Sequence, residues 1–298
     1  MPQTAVADSD TGLTLKELAE RHGLESAGKL PSLPAYVRQL WSYRHFIAAY
    51  AHARASSALG NTRLGLLWHV LTPIFNASVY YVIFGVVLNT ARDVDNFIAY
   101  LCTGVFLFGF TQSVIQAGAQ AITGNLGLIR ALHFPRASLP IAVVLVELRK
   151  MVASIAVLIA IVLATREPVT LEWLLVVPIL MLQAVFNAGL ALGLARLGAK
   201  YTDIRQLIPF AMRVWLYGSA VLYPVTLFTE RLSGWQLAVV EANPLLVYIE
   251  LMRHALMEDV PLAGAPSLLW MQAAAWAIVA SLIGFAYFWR GEKGYGRG

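Results

Sequence analysis

Long apolar segments alternate with short polar ones along most of this chain. A helix needs about 20 apolar residues to cross the roughly 30 Å hydrocarbon core of a bilayer. Six segments meet this requirement, at about 66–88, 97–119, 139–164, 173–195, 207–228 and 267–289. The pattern therefore predicts an all-α polytopic membrane protein with six transmembrane helices.

A seventh apolar region, 235–257, is interrupted by charged and helix-breaking residues. These are Glu241, Asn243, Pro244, Glu250 and Arg253. Asparagine suits a helix N-cap and proline suits the first helical position. Because irregular backbone at membrane depth needs protein or water around it, we expect residues 229–265 to form a re-entrant outer pair of helices before the last span. A surface-lying amphipathic hairpin is the alternative.

Composition narrows the class of protein further. The chain is 58% hydrophobic and 13% charged, with a mean hydropathy of +0.65, whereas soluble domains are about 45–50% apolar and about 25% charged. These values exclude a water-soluble enzyme, and the single cysteine, Cys102, excludes an internal disulfide. The net charge is +5, but the basic residues are scattered between apolar runs, which argues against nucleic acid as a partner.

The distribution of Lys and Arg sets the expected orientation in the membrane. With six spans, most basic residues fall on the side of the N-terminus, including Arg130, Arg196 and Arg290. Because cytoplasmic loops are enriched in basic residues, both termini are expected in the cytoplasm. Residues 1–33 form a polar, partly acidic N-terminal segment without the pattern of a cleavable signal. Insertion is therefore expected to begin at the first span.

An amphipathic helix is predicted over residues 34–59, ahead of the first span. Its apolar residues recur at roughly helical spacing, at Val37, Leu40, Trp41, Ile47 and Tyr50. A basic amphipathic helix rich in aromatic residues typically lies in the headgroup plane. Packing against a soluble partner is a second interpretation, and the two are compatible.

The chain carries none of the sequence patterns that mark common catalytic or ATP-binding sites. HExxH, CxxC, GxSxG and the phosphate-binding pattern GxxxxGK[ST] are all absent, and the six histidines lack metal-ligand spacing. No catalytic residue, metal site or cofactor is therefore expected on this chain, and it is not expected to hydrolyse ATP by itself.

Ionisable residues inside a span are functional candidates, because buried charge is costly. Glu147, Arg149 and Lys150 fall in the third apolar segment. Glu147 and Lys150, three residues apart, can share one helix face. If the span begins near Leu148 instead, all three lie at the inner interface, and the sequence leaves both interpretations open. Arg213 can extend its charged end to the cytoplasmic surface.

Aromatic side chains are the remaining unusual group within the predicted spans. The candidates for lining a conduit are Tyr80, Phe106, Phe110, Trp215 and Tyr223. Aromatic faces stack on apolar surfaces such as the C–H faces of sugars, although packing between neighbouring helices is the alternative role. Positions two apart on a helix point about 200° apart, so Trp215 is expected to face the conduit and Tyr217 to face away.

Three motifs and an outer element, in this order, are similar to one family over residues 36–290. The motifs are Leu64-Gly65-Leu66-Leu67-Trp68 with Pro73, Asn125-Leu126-Gly127-Leu128-Ile129-Arg130 with Phe134-Pro135-Arg136, and Lys200-Tyr201-Thr202-Asp203-Ile204. The outer element is Asn243-Pro244-Leu245 with Arg253. The chain thereby resembles the ABC-2-type permeases that export lipid-linked polysaccharides, such as O-antigen, teichoic acid and cell-wall galactan exporters. It looks most like the actinobacterial galactan exporters.

This resemblance implies how the protein is divided and assembled. Residues 60–298 would form the six-span domain of a permease that is not itself an enzyme. Two copies would form a homodimer and bind two separate ATP-binding-cassette subunits, which hold the ATP and Mg. The implied activity is export of a polyprenyl-diphosphate-linked polysaccharide across the bacterial plasma membrane.

The resemblance also implies the positions of two functional elements. The coupling element, residues 124–137, would dock into the ATPase subunit through Asn125, Leu126, Leu128, Ile129, Arg130, Phe134 and Pro135. An outer gate is implied at Asn243, Pro244, Glu250 and Arg253. Two other functions remain open: an integral membrane enzyme of envelope glycolipid synthesis, and an ABC-2 permease for a drug or another small lipid.

Overall fold

The computed structural model describes residues 31–60, 65–88 and 94–295, so the predicted N-terminal segment lies mostly outside the described residues. All regular elements in these ranges are helical, which confirms the all-α prediction. The α-helices are α1 (Leu33–Ser42), α2 (Arg44–Gly60), α3 (Gly65–Tyr80), α4 (Phe97–Ala119), α5 (Leu126–Ala131), α6 (Ser138–Ala164), α7 (Val176–Lys200), α8 (Ile204–Tyr217), α9 (Thr226–Arg231), α10 (Trp235–Glu241), α11 (Pro244–Leu256) and α12 (Pro266–Trp289).

Several helices are extended by turns of other helical types. A π-helical segment, Tyr81–Val87, continues α3, and a 3₁₀ segment, Leu171–Leu175, precedes α7. The start of α4 follows an ordinary capping rule. The Asn96 side chain accepts a bond from the Ala99 N–H (3.1 Å) at the start of α4.

The predicted amphipathic helix over 34–59 is two helices in the structure. The chain turns at Tyr43, whose N–H still bonds back to the carbonyl of Gln39 at 3.2 Å. The turn separates α1, with Trp41 exposed, from α2, which packs against α6. The interfacial location of these helices stays a prediction.

The core of the bundle is built around α4 and α7. Helix α4 is mostly apolar and largely buried, and it packs against α6 and α7. Gln183 on α7 donates to the carbonyl of Leu107 (3.0 Å) and to the Thr111 hydroxyl (3.1 Å) on α4. Such interhelical hydrogen bonds are typical of helix contacts in membranes.

Helices α7 and α12 approach each other through small residues. A Cβ atom added at Gly189 would overlap the carbonyl group of Ala280, and one added at Gly284 would overlap the backbone of Gly189. Ala280 and Gly284 are four residues apart on α12, the small-xxx-small spacing that lets helix backbones come close. The α7–α12 contact therefore depends on the absence of side chains at these glycines.

Three helices in the described part of the chain are long and apolar enough to cross a membrane: Phe97–Ala119, Leu171–Lys200 and Pro266–Trp289. Helix α6 has a comparable length of 27 residues but carries the charged residues at 147–150.

The predicted fifth span, 207–228, is wrong as a continuous helix. Helix α8 ends at Tyr217 after 14 residues, a length of about 21 Å, and irregular backbone follows it.

Successive connections lie at opposite ends of the bundle. At one end, the Arg205 side chain bonds to the Thr123 hydroxyl (2.8 Å), and the Arg136 N–H bonds to the Glu292 carboxylate (3.0 Å). At the other end, Asn96 donates to Thr165 and to Glu167, both at 2.8 Å. The end with Arg205 and Glu292 also carries the described ends of the chain, and we call it the terminal end. We call the opposite end, with Asn96, the outer end.

Candidate functional site

A cleft of about 540 Å³ lies between α3, α4, α6 and α8. It is more polar than the bundle around it. Its polar lining residues are Thr72, Asn76, Gln112, Ser113, Gln116, Glu147, Lys150, Ser154 and Arg213. Because Trp68, Thr72 and Asn76 on α3 are exposed, a single chain leaves the cleft open on one side.

The charged pair predicted on α6 lies in this cleft. The Lys150 ammonium group is 2.7 Å from the Glu147 carboxylate, so the two residues share one helix face as expected. Glu147 is only 9% exposed. Arg149 points away from the cleft, toward the His52 ring nitrogen Nδ1 on α2 at 3.2 Å. The pair therefore gives the cleft both a carboxylate and an ammonium group.

Three of the five predicted conduit aromatics line the cleft: Tyr80, Phe106 and Phe110. The rings of Phe106 and Phe110 are almost fully buried, with 2% and 4% exposed, so they form its back wall. Tyr80 is half-buried on α3. The cleft therefore combines aromatic surface with amide, hydroxyl and charged groups.

The other two predicted aromatics do not line the cleft. The Trp215 indole N–H donates to the side-chain oxygen of Asn243 at 2.9 Å, which ties α8 to the start of α11. The Tyr223 ring packs against Phe84 and Phe228, with ring centroids 6.3 and 5.4 Å away. The prediction that Trp215 faces the conduit rests on helix geometry alone. The structure shows that the Trp215 indole bonds instead to Asn243, which lies on another element.

Sequence reasoning missed the amide groups of the cleft. Gln112 and Gln116 are four residues apart on α4 and lie on the same face, next to Ser113. Two amides at this spacing in an otherwise apolar helix are the signal that could have identified this face.

The predicted coupling element, residues 124–137, starts within a 3₁₀ turn at Thr123–Asn125 and continues as α5. Arg130 and Leu132 are exposed, and Leu126, Leu128 and Phe134 are half-buried. Ile129 and Pro135 are buried within this chain. These last two residues can support the shape of the element, but their side chains are covered and do not form its outer surface.

Helix α2 braces the coupling element. The Tyr50 hydroxyl donates to the Asn125 side-chain oxygen at 2.7 Å, and the amide of Asn125 donates back to the carbonyl of Ala121 at 2.7 Å. Further along, Phe46 packs against Phe134 with ring centroids 5.1 Å apart. The N-terminal helices and the coupling element therefore form one connected unit.

A partly buried cluster joins this unit to the tail that follows α12. The Glu292 carboxylate accepts from the Tyr36 hydroxyl (2.8 Å) and from the Arg136 N–H (3.0 Å), and the Arg136 side chain donates to the carbonyl of Glu292. Burial raises the pKa of the Glu292 carboxyl, although the bonds from Arg136 and Tyr36 oppose this. The cluster connects α1, the coupling element and the tail at the terminal end.

At the outer end, Arg253 on α11 is fully buried. Its guanidinium group donates to the carbonyls of Tyr100 (3.2 Å), Ala220 (3.0 Å) and Val221 (3.1 Å) and stacks 3.3 Å from the Tyr100 ring centroid. Ala220 has a left-handed backbone, with φ 47°. Arg253 therefore satisfies carbonyls in the irregular segment that follows α8.

The other predicted outer-gate residues lie around the same segment. Asn243 caps α11 by accepting from the Leu245 N–H (3.1 Å), and Pro244 is the first helical residue, which confirms the predicted cap. The Asn243 amide also donates to the carbonyl of Gly218 at 2.8 Å. Glu250 is buried and accepts from the Ala263 N–H at 2.9 Å. Asn243 therefore holds the α8–α9 connection against α11, and Glu250 holds the α11–α12 connection.

Comparison with known proteins identifies a family for this arrangement. The family model "ABC-2 type transporter" matches residues 47–257, which is more than half of the chain. This match covers the coupling element, the cleft-lining helices and α11. It also includes all the motif residues on which the resemblance was based.

Several characterised transport proteins are similar to this chain. The O-antigen export system permease protein RfbA of Myxococcus xanthus is 25% identical over 211 residues, covering 70% of this chain and 79% of that protein. RfbA of Klebsiella pneumoniae is 26% identical and covers 66% and 74%. The polysialic acid transport protein KpsM of Escherichia coli is 25% identical over 199 residues, covering 66% and 76%.

Proposed function

Because this chain belongs to the ABC-2 type transporter family, we propose that it is the membrane permease of an ATP-driven exporter of a polyprenyl-diphosphate-linked polysaccharide. The observation that carries the proposal is a polar, aromatic-walled cleft within an apolar bundle of this family. The relatives named for O-antigen export and polysialic acid transport support a glycan as the cargo. Their names favour this function over a membrane enzyme.

The lining of the cleft suits a glycan. Sugar hydroxyls both donate and accept hydrogen bonds, and the cleft offers Gln112 and Gln116 amides beside the Glu147–Lys150 pair. The rings of Tyr80 and Phe106 supply apolar faces for the C–H surfaces of the sugars. A polymer of sugars could move past such a surface through many weak contacts.

A second copy of the chain would close the open side of the cleft. Helix α8 carries exposed apolar residues at Leu207, Phe210 and Val214, which recur every three to four positions along one side. Two such faces meeting across a two-fold axis would form an isologous contact. In the homodimer, α3, α4 and α8 of both copies would then surround one conduit.

Energy would come from separate ATP-binding-cassette subunits, two for each permease dimer, with ATP and Mg bound there. The coupling element offers exposed and half-buried apolar residues at Leu128 and Leu132 for docking into a groove. Its brace on α2 and its cluster with Glu292 would pass movement to the rest of the chain.

The proposed location is the bacterial plasma membrane, with both termini in the cytoplasm. Basic residues concentrate at the terminal end, which carries the coupling element, and this bias favours the cytoplasmic side. Residues 235–257 would then lie at the outer face, where the structure has two short helices, α10 and α11.

Copurification with candidate ATPase subunits tests the proposal. The permease and one candidate are expressed together, isolated through a tag on the permease, and assayed for ATP hydrolysis with and without lipid-linked oligosaccharide. A stable complex whose hydrolysis rises with the glycolipid is expected. A permease that binds none of the ATPase subunits of its own cell would contradict it.

A further inference from the structure

Helix α8 is tied to a different functional element at each end. At its start, the Arg205 guanidinium group donates through Nη2 to the hydroxyl of Thr123, which directly precedes the coupling element, at 2.8 Å. Near its end, the Trp215 indole donates to the side chain of Asn243, one of the predicted outer-gate residues, at 2.9 Å. The two anchoring residues of α8 are about 15 Å apart along the helix axis. One short helix therefore connects the coupling element to the outer-gate residues.

Between these anchors, the same helix forms one wall of the cleft. The lining residues that it supplies are Pro209, Met212, Arg213 and Leu216. Arg205 itself does not line the cleft. Any change in the tilt of α8 therefore changes the width of the cleft, and Arg205 can act on the cleft only through α8.

The packing of α8 against the rest of the chain is narrow. Of its 14 residues, only Ile208 and Met212 are buried. They lie four positions apart on one face, and the helix contacts α4 and α7. An element with few buried apolar side chains can shift at a lower cost in free energy than a core helix. The hydrogen bonds at its two ends therefore contribute much of what fixes α8 within one copy of the chain.

Pro209 gives α8 a place to bend close to Arg205. Proline has no N–H, so the carbonyl of Arg205, four residues earlier, receives no helical hydrogen bond from position 209. Prolines inside helices are common sites of bending. A bend at Pro209 changes the angle between the first turn of α8, which carries Arg205, and the cleft wall at Met212 and Leu216. The bond from Arg205 to Thr123 therefore sets this angle relative to the coupling element.

We propose that Arg205 is a positioning residue for export, which ties the cleft wall on α8 to the coupling element through Thr123. The inference rests on the proposed function, because it requires an ATPase subunit to move the coupling element. Movement of the coupling element displaces Thr123, and the bond to Arg205 carries the start of α8 with it. The cleft then widens or narrows in step with ATP hydrolysis.

A double-mutant cycle on the permease–ATPase complex tests this inference. Arg205→Met removes the donor, Thr123→Val removes the acceptor with little change of shape, and a third variant carries both changes. Each complex is assayed in vesicles for export of a lipid-linked oligosaccharide, and for ATP hydrolysis with and without it. The Arg205 Nε atom is buried without a protein acceptor among the described residues. An apolar replacement removes that desolvation cost, so Arg205→Met is expected to fold.

Matched controls come from exposed residues at the same end of the bundle. Arg38→Met makes the same change on α1, and Thr202→Val makes the same change in the α7–α8 connection. Recovery of the ATPase subunit, gel filtration and thermal melting are measured for every variant. Both controls should export as much oligosaccharide per ATP hydrolysed as wild type does.

Each single change at the contact should lower export about tenfold, since one hydrogen bond to a charged group contributes about that factor. Stimulation of ATP hydrolysis by the oligosaccharide should fall with it, while recovery of the ATPase subunit and hydrolysis without oligosaccharide stay at wild-type levels. The double variant should be no worse than either single variant, because both changes remove the same bond. Additive losses would overturn the inference. So would single variants that melt at a lower temperature but keep export and stimulation, because the bond would then be structural only.

The wild-type complex separates this inference from the proposed function. If wild type exports the oligosaccharide and the variants at Arg205 and Thr123 export it equally well, only the role of Arg205 is wrong. If wild type binds no ATPase subunit or exports nothing, the proposed function is wrong, and this inference is wrong with it.

Discussion

The close approach of α7 and α12 predicts opposite effects for two neighbouring glycines. Gly189 and Gly193 are one turn apart on α7, but only Gly189 contacts the α12 backbone, and a Cβ atom at Gly193 would meet nothing within 4 Å. Changing either glycine to alanine favours the helix by about 1 kcal/mol. At Gly189 the new methyl group also overlaps the backbone of Ala280, which cannot rotate away, and such overpacking costs about 1–3 kcal/mol.

The two gains in helix propensity cancel when the variants are compared with each other. Gly189→Ala should therefore unfold with a free energy about 1–3 kcal/mol below that of Gly193→Ala. Gly193→Ala should equal wild type or exceed it by up to about 1 kcal/mol. Reversible unfolding by SDS in mixed micelles, followed by tryptophan fluorescence, measures both. Equal stability of the two variants would refute the close α7–α12 contact.

Three further variants test the cluster and the two functional surfaces. Glu292→Gln should flatten the pH dependence of thermal stability, because burial raises the folded pKa of Glu292. Wild type should therefore gain stability as the pH falls and lose it as the pH rises through that pKa. Leu128→Asp should lower recovery of the ATPase subunit at least about tenfold in a pull-down, since an unpaired charge is costly in an apolar groove. Tyr80→Leu should weaken glycan export by up to about tenfold through a lost stacking contact.

Leu128→Asp and Tyr80→Leu each have a matched control variant. For Glu292→Gln, one result of the measurement would contradict the prediction. The same Leu→Asp change at Leu171, exposed at the outer end, should leave the ATPase complex intact. Tyr217→Leu, outside the cleft, should affect export less than Tyr80→Leu does. An unchanged pH profile in Glu292→Gln would show that the titration of this carboxyl does not contribute to stability.

The long apolar helices and the caps could be predicted from sequence because they depend on local residues. Residues 97–119 were predicted as a span, and α4 has these bounds. Asn243 and Pro244 were predicted as cap and first helical residue, and the structure shows both. In each case the hydropathy or the residue type determines the local structure without help from distant groups.

The broken helix after Tyr217 could not be predicted in this way. Residues 218–225 are apolar enough to continue a span, and hydropathy does not distinguish helical from irregular backbone. The irregular carbonyls are satisfied by Arg253 and Asn243, which lie far along the chain. The position of Trp215 depends on the same long-range contact. Tertiary hydrogen bonds therefore determine the irregular backbone of residues 218–225 and the position of Trp215, which the local hydropathy pattern does not determine.

Transport by the reconstituted complex tests the central claim most directly. The permease and its ATPase subunit are incorporated into vesicles containing a lipid-linked oligosaccharide, with the ATPase facing outward, and a glycosidase that cannot cross the membrane is added outside. Export into the lumen should protect the glycan from the enzyme only when ATP, Mg and both subunits are present. ATP hydrolysis without such protection, or protection without the ATPase subunit, would contradict the account.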